Sequence, residues 1–171
     1  KSPPPGTGTS AVPANILIML DNSGSMSKDI NNQTITRSSS KLQSPEDVAV
    51  DSSGNTYVLQ PNRRQISIFN SSGTFVKDIL SYGSACNQFI YSYGFTIDND
   101  QIYLLDAYGK IKVLSLAGGC IREGNTYQWW PRGIAVGDRY IYVNTQSGRI
   151  LTYDKSNFQR IGGGGQPTIS G

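Results

Sequence analysis

The chain has 171 residues, enough for a sizeable core, and only 16% of them are charged, while Gly, Ser, Asn and Tyr are abundant; this composition fits an all-β, turn-rich protein with little helix. It contains no histidine, which removes the usual imidazole general base and zinc ligand. The net charge of +3 is scattered over Arg37, Lys41, Arg63, Arg64, Lys77, Lys110 and Lys112 without a basic run interleaved with aromatics, so no nucleic-acid groove is expected, and no stretch reaches the ~20 apolar residues of a membrane span.

Residues 1–13 are rich in Pro, Gly, Ser and Thr, and Ser2-Pro-Pro-Pro-Gly6 favours an extended polyproline linker. The composition then switches to Ala14-Asn-Ile-Leu-Ile-Met-Leu-Asp21, an unbroken apolar run of the kind that forms a strand buried on both faces of a parallel sheet. Directly after it, Asp21, Ser23 and Ser25 set one carboxylate and two hydroxyls at i, i+2 and i+4, where such a strand would end in a loop. Hard oxygens of this kind suit Mg²⁺, which is only partly dehydrated and can take a carboxylate from a partner in its open position. The competing reading makes residues 14–20 a strand that docks on the rest of the chain or on a neighbour.

The stretch Asn15-Ile-Leu-Ile-Met-Leu-Asp-Asn-Ser-Gly-Ser-Met26 resembles the first strand and metal-ion-dependent adhesion site of a von Willebrand factor A domain, whose Asp-x-Ser-x-Ser motif maps onto Asp21, Ser23 and Ser25. The resemblance implies Mg²⁺-dependent adhesion, yet it covers only residues 14–27. An amphipathic helix should follow, but residues 28–43 offer only Ile30 and Ile35 as apolar anchors among many turn-formers and read as a polar linker. The Thr and the second Asp that complete the family's site have no counterpart here, so the metal site is expected to be incomplete.

From residue 44 onward one unit of strand-forming sequence occurs three times. First strands align as Pro45–Asp51, Ser92–Asp98 and Pro131–Gly137, second strands as Asn55–Gln60, Gln101–Asp106 and Arg139–Asn144, and third strands as Gln65–Asn70, Lys110–Ser115 and Arg149–Asp154. Shorter, more polar outer strands follow at Thr74–Ile79, Cys120–Glu123 and Phe158–Ile161, as suits an exposed edge. The repeat intervals, 47 residues from Asp51 to Asp98 and 39 from Asp98 to Gly137, are blade-sized. The expected fold is therefore all-β: a partial β-propeller of about three four-stranded blades over 44–171, preceded by one strand of an incomplete α/β domain.

The first unit, with Val48-Ala-Val-Asp-Ser-Ser-Gly-Asn-Thr-Tyr-Val58, then Arg64-Gln-Ile-Ser-Ile-Phe-Asn70 and Ser72-Gly-Thr-Phe-Val76, resembles an NHL repeat. The second and third units lack the full Asp-x-x-Gly turn but keep the strand order. Closed propellers usually need four to eight blades, and Gly162-Gly-Gly-Gly-Gln-Pro-Thr-Ile169 reads as the approach to another; the expectation is a piece of something longer or, failing that, copies that associate to cover the terminal blades.

Cys86 and Cys120 lack the close spacing of a metal or redox motif; they either pair or remain buried thiols, and a bridge between them would place the chain in an oxidising compartment. Tyr127, Trp129 and Trp130 form an aromatic cluster suited to stacking on a glycan or a partner surface, or to packing between blades. Asp47, Asp51, Asp98, Asp106 and Asp154 fall mainly at turn positions. A propeller joined to an A-type motif resembles the large adhesins associated with type IV pilus tips, which implies an extracellular, non-catalytic protein. Its expected partners are a carboxylate-bearing protein or surface ligand, pilus components, or subunits that complete the propeller. The alternatives are a structural subunit of an extracellular assembly and, least favoured without His, an NHL-type lyase or hydrolase.

Overall fold

The computed structural model describes residues 41–126 and 130–161. They form twelve strands: β1 Asp47–Val50, β2 Thr56–Gln60, β3 Gln65–Phe69, β4 Phe75–Ile79, β5 Ser92–Asp98, β6 Gln101–Asp106, β7 Lys110–Ser115, β8 Cys120–Asn125, β9 Pro131–Val136, β10 Tyr140–Thr145, β11 Ile150–Asp154 and β12 Arg160–Ile161. Each successive four make one antiparallel meander, giving three sheets ordered β1-β2-β3-β4, β5-β6-β7-β8 and β9-β10-β11-β12. This is the blade order that the repeats imply. The expected A-type strand with Asp21, Ser23 and Ser25 lies outside the described residues, as do Tyr127 and Trp129.

Turn chemistry differs between the units. In the first, the Asp51 carboxylate accepts the N–H groups of Ser53 and Asn55 at 2.9 and 2.8 Å, and Gly54 supplies the left-handed φ of 80°. The Tyr57 hydroxyl donates to the same carboxylate at 3.2 Å; burial, and then the Asp51 charge, push this phenol up to about 12. The second unit replaces this loop with Asn99-Asp100, both at positive φ (48° and 54°), the two-residue hairpin that Asn and Asp tolerate. The two turns meet: Ser52 Oγ donates to the Asp100 carboxylate at 2.8 Å.

The core lies between the sheets. Tyr57, Leu59, Ile66 and Ile68 of the first sheet pack on Phe95, Ile102, Leu104 and Leu114 of the second, with Phe89 from the connecting segment buried among them. From the opposite face of the second sheet, Tyr103, Leu105, Ile111 and Val113 pack on Ile141, Val143, Leu151 and Tyr153 of the third. The strand registers make the packing positions equivalent: Tyr57 pairs with Ile68, Tyr103 with Val113 and Tyr142 with Thr152. The middle sheet, covered on both faces, therefore has second and third strands buried almost throughout.

The first strands run side by side. Gly94 of β5 and Gly133 of β9 face each other, and a Cβ on Gly94 would come within 3.2 Å of the Gly133 Cα. The Asp47 carboxylate accepts the Phe95 N–H at 2.9 Å, tying β1 to β5; burial pushes this carboxyl up despite that bond. At the outer rim, Arg122 of β8 donates to the carbonyls of Lys155 and Ser156 and stacks on the Phe158 ring, while Lys155 pairs with Asp98 at 2.6 Å. Phe158 turns to φ 60° to lay its ring over Gly124, where a Cβ would clash at 2.2 Å. This turn cuts the third sheet's outer strand, expected from Phe158, to Arg160–Ile161.

Cys86 and Cys120 are joined by a disulfide spanning 34 residues, Cα to Cα 5.5 Å. It fixes the segment before the second sheet to that sheet's outer strand. Lys112, fully buried, holds the same segment from the other side: its Nζ donates to the carbonyls of Ala85 (2.9 Å) and Gln88 and lies 3.4 Å from Asp106. Burial lowers this amine below its ordinary range, with Asp106 opposing the shift. The first sheet repeats the device with neutral groups: Gln60 Nε2 donates to the Lys41 carbonyl at 3.0 Å and to Ser67 Oγ.

Candidate functional site

The strand order gives each sheet two loop-bearing ends. At the end where β1, β5 and β9 begin, three segments distant in sequence are laced together through the backbone. Ala107 N–H donates to the Tyr91 carbonyl at 2.8 Å, and Trp130 N–H to the Ala107 carbonyl at 2.9 Å. This ladder brings Tyr91 and Tyr93 at the start of β5, Tyr108 in the β6–β7 turn and Trp130 before β9 into one group. Their ring centroids lie 4.8 Å apart for Tyr91 and Tyr93, and 6.4 Å apart both for Tyr93 and Trp130 and for Tyr108 and Trp130, the separations at which tilted and edge-on aromatic pairs attract.

Two guanidinium groups border the aromatics. Arg132 stacks over Tyr93 at 4.5 Å, and Arg64 over Tyr82 at 5.8 Å. Arg64 ends the one-turn 3-10 helix Pro61–Arg63 in a left-handed conformation with φ 55°. Its Nε is, among the described residues, a buried side-chain donor with no hydrogen-bond partner. Burial and the nearby Glu46 and Tyr93 push the Tyr91 phenol up, against the pull of Arg132 and Arg64.

The aromatic faces are open to solvent: Tyr82 is 65% exposed, Trp130 44% and Tyr108 43%. Trp130 also adopts φ 56°, a left-handed backbone rare for a bulky residue and costing on the order of 1–3 kcal/mol. The bond to Ala107 holds it there. An exposed tryptophan kept in a strained conformation by the fold, instead of buried for stability, is a feature of contact surfaces. Chemically, the arrangement offers flat apolar faces flanked by fixed positive charge.

Of the residues singled out by sequence, Trp130 stands at the centre of this group, while Tyr127 and Trp129 lie outside the described residues. Tyr91, Tyr93, Tyr108, Arg64 and Arg132 were not singled out; the available signal was Tyr91-Ser-Tyr93 occupying the entry to the second unit, where the first and third carry Pro45 and Pro131. Asp51, Asp106 and Asp154 serve their turns, accepting N–H groups two residues on at 2.8 to 2.9 Å, whereas Asp98 pairs with Lys155 and Asp47 with Phe95 N–H. Among the described residues, no three His, Cys, Asp or Glu side chains gather as metal ligands, and no helix is long and apolar enough to cross a membrane.

At the opposite end, a shallow recess of about 340 Å³ is lined by Arg122, Asp138, Arg139, Asp154, Lys155 and Ser156. Its cations are engaged: Arg122 and Lys155 clamp the second sheet to the third, and Arg139 lies over the Tyr140 ring at 5.3 Å. Ser156, through its hydroxyl and N–H, holds the Asp154 carboxyl below the usual range. The recess is an internal fastening between blades.

A blade-by-blade meander with its loop surface at the inner-strand entry defines a β-propeller. The chain belongs to the DUF5128 family, described as a 6-bladed beta-propeller, whose match spans residues 33–161. No curated protein matches the sequence. Among solved structures, the crystal structure of Citrobacter koseri AztD is similar with a TM-score of 0.53 at 16% identity, over 77% of this chain and 37% of that one. The chain thus spans well under half the length of that neighbour, and the likeness is one of fold.

Proposed function

We propose that this chain is a non-catalytic binding module of an extracellular assembly, with the aromatic end of the propeller as its contact surface. The observation that carries this reading is the exposed Trp130, held in a left-handed conformation between Tyr93 and Tyr108 and beside Arg132. Stacking faces next to guanidinium groups suit a ligand that combines flat rings with carboxylates, since Arg pairs with a carboxylate through two parallel bonds. The disulfide supports an oxidising location.

The test uses immobilised polygalacturonate, a chain of carboxylated sugar rings, read by biolayer interferometry at low salt. Trp130→Ala should weaken binding at least tenfold and Arg132→Ala somewhat less, with added salt erasing the Arg132 contribution. Wild-type binding that both variants retain in full would discard the aromatic end as the contact surface.

A second reading, surface adhesion through Mg²⁺, rests on a different observation: Asp21, Ser23 and Ser25 follow an apolar strand sequence as in A-type adhesion sites. The likeness of residues 45–79 to an NHL repeat fits the same adhesin-like pairing, with a pilus component or host protein as partner. Calorimetric titration with Mg²⁺ decides it: the wild type should release heat that Asp21→Ala abolishes, and equal, negligible heats would retire the metal.

A further inference from the structure

We infer that Tyr82 and Arg64 form a second subsite beside the Trp130 group, so that the aromatic end takes a polymer of carboxylated sugar rings and not a single unit. The inference rests on the reading of that end as a contact surface for such rings. Two places on it repeat one device. Arg132 lies 4.5 Å from the centre of the Tyr93 ring, and Arg64 lies 5.8 Å from that of Tyr82. A guanidinium stacked on a phenol ring sets a fixed positive charge beside an apolar face. Arg64 is further held by its Nη1, which donates to the Asn62 carbonyl at 2.5 Å.

Tyr91 links the two places. Its ring packs on Tyr93 at 4.8 Å, and its phenol feels the charges of both Arg132 and Arg64. The exposed Glu46 acts on the same phenol, so a carboxylate stands among the guanidinium groups. That acid disfavours a chain with a phosphate on every unit, while it can accept hydrogen bonds from sugar hydroxyls.

Tyr82 is, among the described residues, the most exposed large apolar side chain, at 65%, yet the segment that carries it is firmly fastened. Tyr82 pairs with Phe89, whose ring is fully buried between the first two sheets. Phe89 N–H donates to the Ser81 carbonyl at 3.0 Å. The Gln88 side chain fills the space at Gly83, where a Cβ would meet its Oε1 at 2.0 Å. The Cys86–Cys120 bridge and Lys112 Nζ hold residues 85–88. A closed loop filled by its own side chains is an Ω-loop. Phe89 supplies its core contact, so the Tyr82 ring is left for contact outside, and a ring already fixed loses little freedom when a ligand arrives.

Two linked rings on one ligand that reach both subsites bind as one intramolecular event after the first contact, which multiplies affinity without any new kind of contact. A single ring gains nothing from the second subsite. Chain length is therefore the variable that exposes it.

Tryptophan fluorescence of the 171-residue chain, titrated at low salt with galacturonate and with its linear decamer, tests this. The decamer should bind the wild type about a hundredfold more tightly than the monomer, where its number of rings alone gives about tenfold. Tyr82→Ala should cut the ratio to about tenfold with monomer binding and the circular dichroism spectrum unchanged, and Tyr82→Phe, which keeps the stacking face, should retain the wild-type ratio. Arg64→Gln should act in the same direction as Tyr82→Ala, with added salt erasing its effect. A wild-type ratio no larger than that of Tyr82→Ala overturns the second subsite, even where Trp130→Ala abolishes binding of both ligands. Binding that Trp130→Ala leaves intact, or no binding at either length, removes the contact-surface reading and this inference with it. A thymidylate decamer that binds more tightly than the galacturonate decamer overturns the choice of a sugar polymer.

Discussion

The second and third sheets are built from the same repeat, yet the sequence pattern inside them differs. In β6 and β7 nine of twelve residues are buried in uninterrupted runs, whereas β10 alternates buried and exposed from Ile141 to Thr145. The second sheet is sandwiched between two others and the third is covered on one face only. Burial on both faces selects continuous apolar sequence, and burial on one selects alternation. The first sheet is likewise buried throughout β2 and in four of five residues of β3, so among the described residues the alternation of β10 sets the third sheet apart.

The sharpest way to break the comparison is at equivalent positions. Leu105→Ala should lower stability to urea by about 2–5 kcal/mol by opening a cavity between the second and third sheets. Asn144→Ala, at the same place one sheet on, should change it by less than about 0.5 kcal/mol. Comparable losses would mean that the third sheet's open face is packed in solution by its own chain.

Reducing the disulfide, or replacing both cysteines by serine, comes next. Closing a loop of 34 residues contributes about 3–4 kcal/mol in the chain-entropy account. The loss should appear in the middle sheet first, as faster hydrogen exchange of the segment around Phe89 and of β8, with the third sheet little affected.

A smaller effect lies at Asp47, whose carboxyl is pushed up by burial at the junction of β1 and β5. Because the folded state binds this proton more readily than the unfolded chain, the group adds stability below its unfolded pKa that is lost as the pH rises through its folded pKa. Asp47→Asn, which can still accept the Phe95 N–H, should therefore raise Tm relative to wild type more at pH 7 than at pH 4. A difference that is the same at both pH values would show that the carboxyl titrates as in the unfolded chain.

The blade framework was legible because it depends on local pattern. Gln101–Asp106 and Lys110–Ser115, read from apolar runs, coincide with β6 and β7. Errors of a residue or two fall where a side chain outside the strand decides the boundary: the Asp51 carboxylate captures Asn55 N–H and starts β2 at Thr56, and Phe158 leaves the outer strand to cover Gly124. The aromatic end was only partly legible. Trp130 stands out in any sequence, but Tyr91 and Trp130 are brought together by their backbone bonds to Ala107, beside Tyr108, a contact that no local periodicity encodes.

The Cys86–Cys120 bridge also sets how the chain responds to tension. When the molecule is pulled between its two ends, the covalent bridge carries the load past residues 87–119, so they cannot pay out. At about 3.3–3.6 Å per extended residue, roughly 110–120 Å of contour stays locked, and an optical trap should recover that length only after a reductant is added. Three strands of the middle blade, β5, β6 and β7, fall within this loop, so the centre of the array is shielded from stretching while the blades on either side yield.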